Sequence, residues 1–302
     1  MATTVIAGAR SEVVPLICFS NIALEPIEIE IFKSGRTMSK IPGSEETIEM
    51  LVNCKTYPAI SKKYIETVCT GGVRHDGTFV RLYPVPFRFL NKEEQYERWD
   101  IIQVKAYRDT KDQRPESWHL AGSIKIIKSA TTKKQQWAWM KKAIYPSRAA
   151  MEDKKLTNGC VEIEPLQFYW KADSKKWTEK QLGVINQRDL FIPHEKMPLA
   201  TDKVPFEFRL RYREKSTGIE DDNKVLAWSY YEGFRKFRRD YGSDAKALEA
   251  VHKKVAESIF NSENKVFGIF GTHSRIGIWM VSALYHVPKT ILEKDKSQGE
   301  LF

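Results

Sequence analysis

The chain has 302 residues, of which 42% are hydrophobic and 29% are charged, so it can bury a core and is not disordered throughout. Lysine and arginine together number 49, and aspartate and glutamate number 39, which gives a formal net charge of +10. This balance excludes an acidic solvating protein and favours a polyanionic partner.

Residues 1–47 are predicted to form an acidic N-terminal arm or appended element. Ile27, Ile29 and Ile31 alternate with glutamates, which is the pattern of a half-buried strand. Glycine and proline residues interrupt the segment further along. Because this segment is net acidic in a basic chain, it is a candidate for contact with other protein subunits.

Residues 48–200 are predicted to form a β-rich body with a basic helical insertion at Thr132–Tyr145. The Asp76-Gly77 pair indicates a hairpin, because Asp-Gly supplies the positive φ that tight hairpin turns require. The extended segments are predicted at Met50–Cys54, Val68–Arg74, Thr78–Val85, Asp100–Arg108, Ser123–Lys128 and Val161–Lys171.

Residues 201–289 are predicted to form a β-α-α-β-β unit, followed by a polar tail at residues 290–302. The first helix ends at Gly242, and Ser243 caps the second. The strands are predicted at Phe206–Tyr212, Lys265–Gly271 and Ile276–His286. Together the elements predict an α+β protein in which a compact β-barrel or sheet body precedes the β-α-α-β-β unit.

The predicted hairpin carries a first group of candidate nucleic-acid-binding residues, namely Arg74, Arg81, Tyr83 and Arg88. A guanidinium group matches phosphate oxygens in bidentate fashion, and a tyrosine ring can stack on a base. Because side chains alternate along a strand, Arg81 and Tyr83 are expected on an outer surface or in a pocket. Val80 and Leu82 would then face the core. The alternative is an ordinary hairpin with solvated arginines.

A lysine-rich segment at residues 128–142 carries the second group, namely Lys133, Lys134, Trp137, Lys141 and Lys142. The segment has no acidic residue, and lysines neutralise phosphates without sequence preference. On a helix, Trp137 and Trp139 lie about 200° apart, so they are expected on different sides. The alternatives are a solvated surface helix and a protein interface.

The third group lies on the aromatic helix of the second unit and consists of Arg235, Arg238 and Arg239. The preceding strand adds Arg209, Arg211 and Arg213, and the two elements predict a groove along backbone phosphates. The alternative is that these cations pair with the acidic residues Glu220, Asp221 and Asp222.

Most catalytic patterns are absent from the sequence. It has no phosphate-binding glycine loop, no nucleophile elbow and no H-E-x-x-H motif. The four cysteines form no C-x-x-C pair, so no metal site or cofactor is expected, and a cytoplasmic protein with reduced thiols is predicted. No run reaches the ~18 apolar residues of a membrane helix, so no membrane partner is expected.

Three motifs stand out, namely K-T-Y-P at Lys55–Pro58, E-T-V-C-T-x-G beginning at Glu66, and V-R-L-Y-P-V-P-F-R at Val80–Arg88. Through them, residues 50–289 resemble a family of uncharacterised prokaryotic proteins that is loosely associated with mobile elements and phage defence. The resemblance implies a nucleic-acid role in antiviral defence. It assigns no catalytic residue, because the family has no established activity.

The leading prediction is a protein that binds DNA or RNA mainly through phosphates, as a component of a prokaryotic nucleoprotein or defence system. The first rival is an enzyme that acts on nucleic acid or nucleotides, with a site around Lys55–Arg88. The second rival is a basic subunit of a protein complex. If six cations contact duplex phosphates, log K should fall with log salt at a slope of about −5.

Overall fold

The computed structural model describes residues 45–108, 112–173, 177–189, 203–273 and 276–299. The arm predicted for residues 1–47 lies outside the described residues except for positions 45–47. Residues 190–202, around the predicted boundary at residue 200, lie outside them as well.

Five strands of the first half close into a barrel. The strands of this half are β1 (Glu46–Lys55), β2 (Ala59–Ser61), β3 (Ile65–Val73), β4 (Phe79–Val85), β5 (Asp100–Tyr107) and β6 (Ser117–Ser129). The order is β1-β5-β6-β4-β3, and β1 also pairs with β3, so these five strands form a closed ring. Neighbours are antiparallel except β4 and β6, which run parallel with Arg81 opposite Ser117.

The connection between β3 and β4 confirms the predicted hairpin. Gly77 has a φ of +95°, a region that a residue without a Cβ atom enters at no steric cost. The carboxylate of Asp76 accepts a hydrogen bond from the Thr78 backbone N–H at 2.8 Å. Val80 and Leu82 are fully buried in the barrel core, as strand alternation predicts.

The second half repeats this strand order. Its strands are β7 (Ile144–Tyr145), β8 (Asn158–Ala172), β9 (Phe206–Glu214), β10 (Glu220–Lys224), β11 (Asn264–Thr272) and β12 (Trp279–Pro288). The order is β10-β9-β8-β11-β12, and a parallel bridge between Val225, directly after β10, and Val281 of β12 joins the two ends. If β2 and β7 are left out, each half has five strands. When these are numbered one to five along the chain, their order around the ring is 1-2-3-5-4 in both halves.

Strand β8 belongs to this second barrel. Residues 161–171 were predicted in the β-rich body, but β8 pairs with β9 on one side and β11 on the other. These partners lie tens of residues away in the sequence, and local alternation gives no information about such pairing.

Six α-helices are present in the described part of the chain, and the longest two connect β10 to β11. They are α1 (Lys133–Met140), α2 (Arg148–Asp153), α3 (Glu179–Asp189), α4 (Trp228–Tyr241), α5 (Asp244–Ser258) and α6 (Lys289–Gly299). The predicted basic helix is confirmed as α1, which begins with a reciprocal capping box between Thr132 and Gln135. Gly242 ends α4 in the left-handed conformation, and Ser243 caps α5, as predicted.

The polar tail begins as the helix α6. The α+β prediction is confirmed, with a β-barrel body followed by a unit that contains the predicted β-α-α-β-β elements. None of the described helices is long and apolar enough to span a membrane.

Candidate nucleic-acid interface

Three arginines from the first half of the chain donate hydrogen bonds to backbone carbonyls of the second half. The bonds run from Arg81 to Thr157 at 3.1 Å, from Arg98 to Leu284 at 2.7 Å, and from Arg114 to Thr272 at 2.9 Å. Burial lowers the pKa of Arg81 and of Arg98.

Arg81 is therefore a contact residue between the barrels. It points away from the core of its own barrel, as predicted, but only 5% of it is exposed because the second barrel covers this face. The prediction that Arg81 lies on an open surface or in a pocket is wrong, because the second barrel covers it. Its predicted role as a phosphate ligand has no support from this position.

Glu116 also joins the two barrels. Its carboxylate accepts hydrogen bonds from the Thr157 N–H at 2.7 Å, the Thr157 hydroxyl at 2.8 Å and the Asn158 N–H at 3.2 Å. Only 2% of Glu116 is exposed. A carboxylate that accepts several hydrogen bonds forms stronger contacts than a neutral acceptor, so Glu116 contributes to the junction of the barrels.

The other members of the hairpin group have separate environments. Arg74 pairs with Glu46 at 2.6 Å, and its guanidinium group lies 5.3 Å from the centre of the Trp118 ring. Tyr83 is 45% exposed, and Arg88 is half-buried. Arg74 and Arg81 thus engage different partners and do not share one phosphate position.

Trp137 and Lys141 of the lysine-rich segment converge on a carboxylate of α6. The indole N–H of Trp137 donates to Asp295 at 3.0 Å, and Lys141 pairs with the same carboxylate at 2.8 Å. These bonds hold the pKa of Asp295 below its usual range. Trp139 instead contacts His75, with ring centres 5.3 Å apart, which confirms that the two tryptophans lie on different sides of α1.

The remaining lysines of the segment differ in exposure. Lys133 is half-buried over the ring of Tyr285, and burial, with nearby Arg98, lowers its pKa to about 8. Lys142 is exposed and donates to the backbone carbonyl of His75 at 3.0 Å. Lys134 is exposed, and no partner is recorded for it among the described residues.

The α4 arginines do not form one continuous basic surface. Arg235 is 5% exposed and donates to Tyr57 at 2.9 Å and to Glu232 at 2.5 Å. It is therefore buried among protein groups and does not lie on the surface. Arg238 is exposed and pairs with Asp244 at 3.0 Å. Arg239 is exposed.

The strand arginines of β9 form an ion-pair ladder with β10. Arg209 pairs with Asp222 at 2.9 Å, and Arg213 pairs with Glu220 at 2.6 Å. Arg211 pairs with the same Glu220 at 3.0 Å. The alternative that these cations pair with nearby acids is confirmed, and their charge is largely compensated within the protein.

A different basic surface lies on the outer side of β5 and β6. Lys105, Lys125 and Lys128 are exposed there, and Lys125 stands opposite Gln103 while Lys128 stands opposite Ile101. No carboxylate partner is recorded for any of the three within the part of the chain that the structure describes. We call these three residues the lysine face.

An aromatic pair borders the lysine face. Tyr107 of β5 stands opposite His119 of β6, and their ring centres are 5.4 Å apart at an angle of 32°. Lys105 lies two positions before Tyr107 on the same side of β5. This surface was not predicted, because it depends on the register between two strands. The alternation of Gln103, Lys105 and Tyr107 along β5 is the signal in the sequence that points to it.

Lys55, at one end of the rival enzyme site, is enclosed by protein groups. Its ammonium lies 3.9 Å from the centre of the Phe87 ring and donates to the Tyr96 carbonyl at 2.8 Å. Burial lowers the pKa of Lys55. Within the described ranges, no group of three or more His, Cys, Asp or Glu side chains is arranged to hold a metal ion.

The fold and surfaces define an α+β protein of two five-stranded barrels. The model of a family described as a domain of unknown function, DUF8757, matches residues 141–302, and that of DUF8758, also a domain of unknown function, matches residues 46–146. The chain belongs to the DUF8757 family, whose match covers more than half of its length. The curated proteins contain no match. A crystal structure of the p204 HINb domain is similar at a TM-score of 0.28 and 9% identity, covering 81% of this chain and 98% of that chain.

Proposed function

We propose that the protein binds nucleic acid mainly through backbone phosphates, and that the lysine face is its principal contact surface. The observation that carries this proposal is the set of three exposed lysines, for which the described residues supply no carboxylate partner, next to the Tyr107–His119 pair, whose rings are tilted by 32°. Cations on a surface with aromatic rings are the combination that binds nucleic-acid strands without reading their sequence.

The strand order of both barrels is also found in barrels that bind oligonucleotides. It is the Greek-key arrangement of OB-type barrels, which bind oligonucleotides on the face of their second and third strands. In the first barrel these strands are β3 and β4, and that face is largely buried. Since a fold alone does not assign a function, the proposal depends on the neighbouring lysine face.

Neutralising the lysine face should weaken binding more than it changes stability. We expect K105Q/K125Q/K128Q to reduce affinity for a single-stranded oligonucleotide on the order of 10- to 100-fold and to make the salt slope shallower by about 2. The matched control is K215Q/K224Q/K253Q, because these lysines already pair with Glu164, Glu207 and Glu257. Both variants lower the net charge by three.

Fluorescence anisotropy across a salt series measures both effects. An equal loss of affinity in the two triple variants would show that affinity depends only on net charge. The lysine face would then not be the contact surface. Absence of binding by the unmodified protein at low salt would reject nucleic-acid binding itself. Participation in a prokaryotic nucleoprotein or defence system stays a prediction.

Asp295→Asn should increase affinity, because it releases the charge of Lys141. An asparagine oxygen can still accept the Trp137 hydrogen bond, but it no longer neutralises Lys141. One additional phosphate contact would steepen the single-strand salt slope by about 0.7. The same titration of K141Q and K141Q/D295N completes a double-mutant cycle. Lys141→Gln should lower the affinity only in the protein that also carries Asp295→Asn. A gain in D295N that survives Lys141→Gln would contradict this explanation.

A further inference from the structure

A cleft of about 490 Å³ lies between α1, β11 and α6. Its apolar lining consists of Trp137, Ile144, Phe267 and Leu292, and the rings of Trp137 and Phe267 are 6.1 Å apart at an angle of 38°. The volume lies within the usual range for small-molecule pockets. The two rings are too close together to admit a third ring between them, so a planar ligand would lie against Trp137 from the open side of the cleft.

The charged groups of the cleft balance one another. Three lysines and three carboxylates line it, namely Lys141, Lys265, Lys289, Glu162, Glu293 and Asp295. Lys141 pairs with Asp295 at 2.8 Å, and Lys265 pairs with Glu162 at 3.1 Å. A site for an isolated phosphate would show an excess of cations. Apolar walls with both donors and acceptors at the edge instead fit a neutral, planar group that itself carries donors and acceptors.

The cleft adjoins the basic segment that follows the lysine face. Lys134, Trp137 and Lys141 are spaced by three and four residues, so they lie along one side of α1 and its continuation. A strand whose phosphate contacts Lys134 would therefore pass Trp137, which lies about one turn further along the same side of α1.

We infer that this cleft receives an unpaired nucleobase of the bound strand, which stacks on Trp137. The inference rests on the proposed function, because the phosphates deliver the base to the cleft. A paired base cannot enter, since its edge and both faces are occupied within the duplex. The protein should therefore bind an ordinary single strand more tightly than an abasic strand of the same length, and the abasic strand carries the same phosphates.

The test compares these two strands with a variant that fills the cleft. Leu292→Trp introduces a large ring beside Trp137 and leaves the lysine face unchanged. We expect it to remove the preference for the base-containing strand, which should be about 5- to 150-fold for one stacked base. Affinity for the abasic strand should not change. The matched control is Leu182→Trp, because Leu182 is 40% exposed on α3, outside the cleft.

Each outcome separates the two proposals. Equal affinity of the unmodified protein for both strands would overturn the cleft inference and leave phosphate binding intact, whereas absence of binding to either would overturn the proposed function. A preference that persists in folded L292W would also overturn the inference. If circular dichroism shows that L292W is unfolded, L292F carries the same test with a smaller ring.

Discussion

Glu116→Ala should lower the free energy of unfolding by about 3 to 5 kcal/mol, because it leaves hydrogen-bond donors at the junction of the barrels without an acceptor. The carboxylate accepts three hydrogen bonds from Thr157 and Asn158, and only 2% of Glu116 is exposed. Alanine offers these groups no acceptor and leaves a void. Urea unfolding followed by tryptophan fluorescence measures the change.

Two controls show whether the effect belongs to the carboxylate. Glu116→Gln keeps one acceptor oxygen and should lose part of the stability. Glu93→Ala removes an exposed glutamate from the same half of the chain and should stay within about 0.5 kcal/mol of the unmodified protein. A loss below about 1 kcal/mol in E116A would mean that water or a neighbouring group replaces the carboxylate at little cost.

The same contacts bear on how the two halves unfold. Glu116 lies in the region that the DUF8758 model matches, and Thr157 and Asn158 lie in the DUF8757 region. The hydrogen bonds of Arg81, Arg98 and Glu116 all cross between these regions. Since a broken buried bond costs free energy in both halves, these bonds couple their unfolding.

Much of the local structure was predictable from neighbouring residues. The Asp76-Gly77 turn and the caps of α1 and α5 depend on residue types within a few positions of one another. The inward orientation of Val80 and Leu82 depends only on alternation along one strand. Patterns of this kind are complete within a short window, so the sequence alone identifies them.

The environment of each candidate cation depended on distant partners. Arg81 faces outward as expected, but residues from another barrel cover it, and its bonded partner is 76 positions away. Lys141 lies on the expected basic helix, but Asp295 neutralises it from 154 positions away. The lysine face exists only because β5 and β6 pair in one register. Strand order and register are global properties, so charge counting within a segment overestimated the free positive charge.

Arg148→Ala should destabilise the protein by about 3 to 5 kcal/mol, because it leaves the buried carboxylate of Glu214 without its cation. The guanidinium group pairs with Glu214 at 2.5 Å and with Asp221 at 2.6 Å. The Glu214 side chain is 3% exposed, and that of Arg148 is 12% exposed. The guanidinium also lies 5.4 Å from the ring centres of Tyr212 and Phe270, so its removal exposes apolar surface as well.

Chemical denaturation of a short series separates the charge from the packing. Arg148→Met keeps an apolar side chain over the rings. If R148M loses about as much stability as R148A, the effect comes from the Glu214 carboxylate that has lost its cation. Adding Glu214→Gln to R148M should then restore much of the stability, because replacing both charges of a buried pair costs far less than removing one. Arg211→Ala is the matched control from the ladder, since its pair with Glu220 is exposed and screened by water and should contribute little to stability. If R148M is as stable as the unmodified protein, the buried pair does not hold α2 against the second barrel, and the packing of Met151 and Ser147 must do so instead.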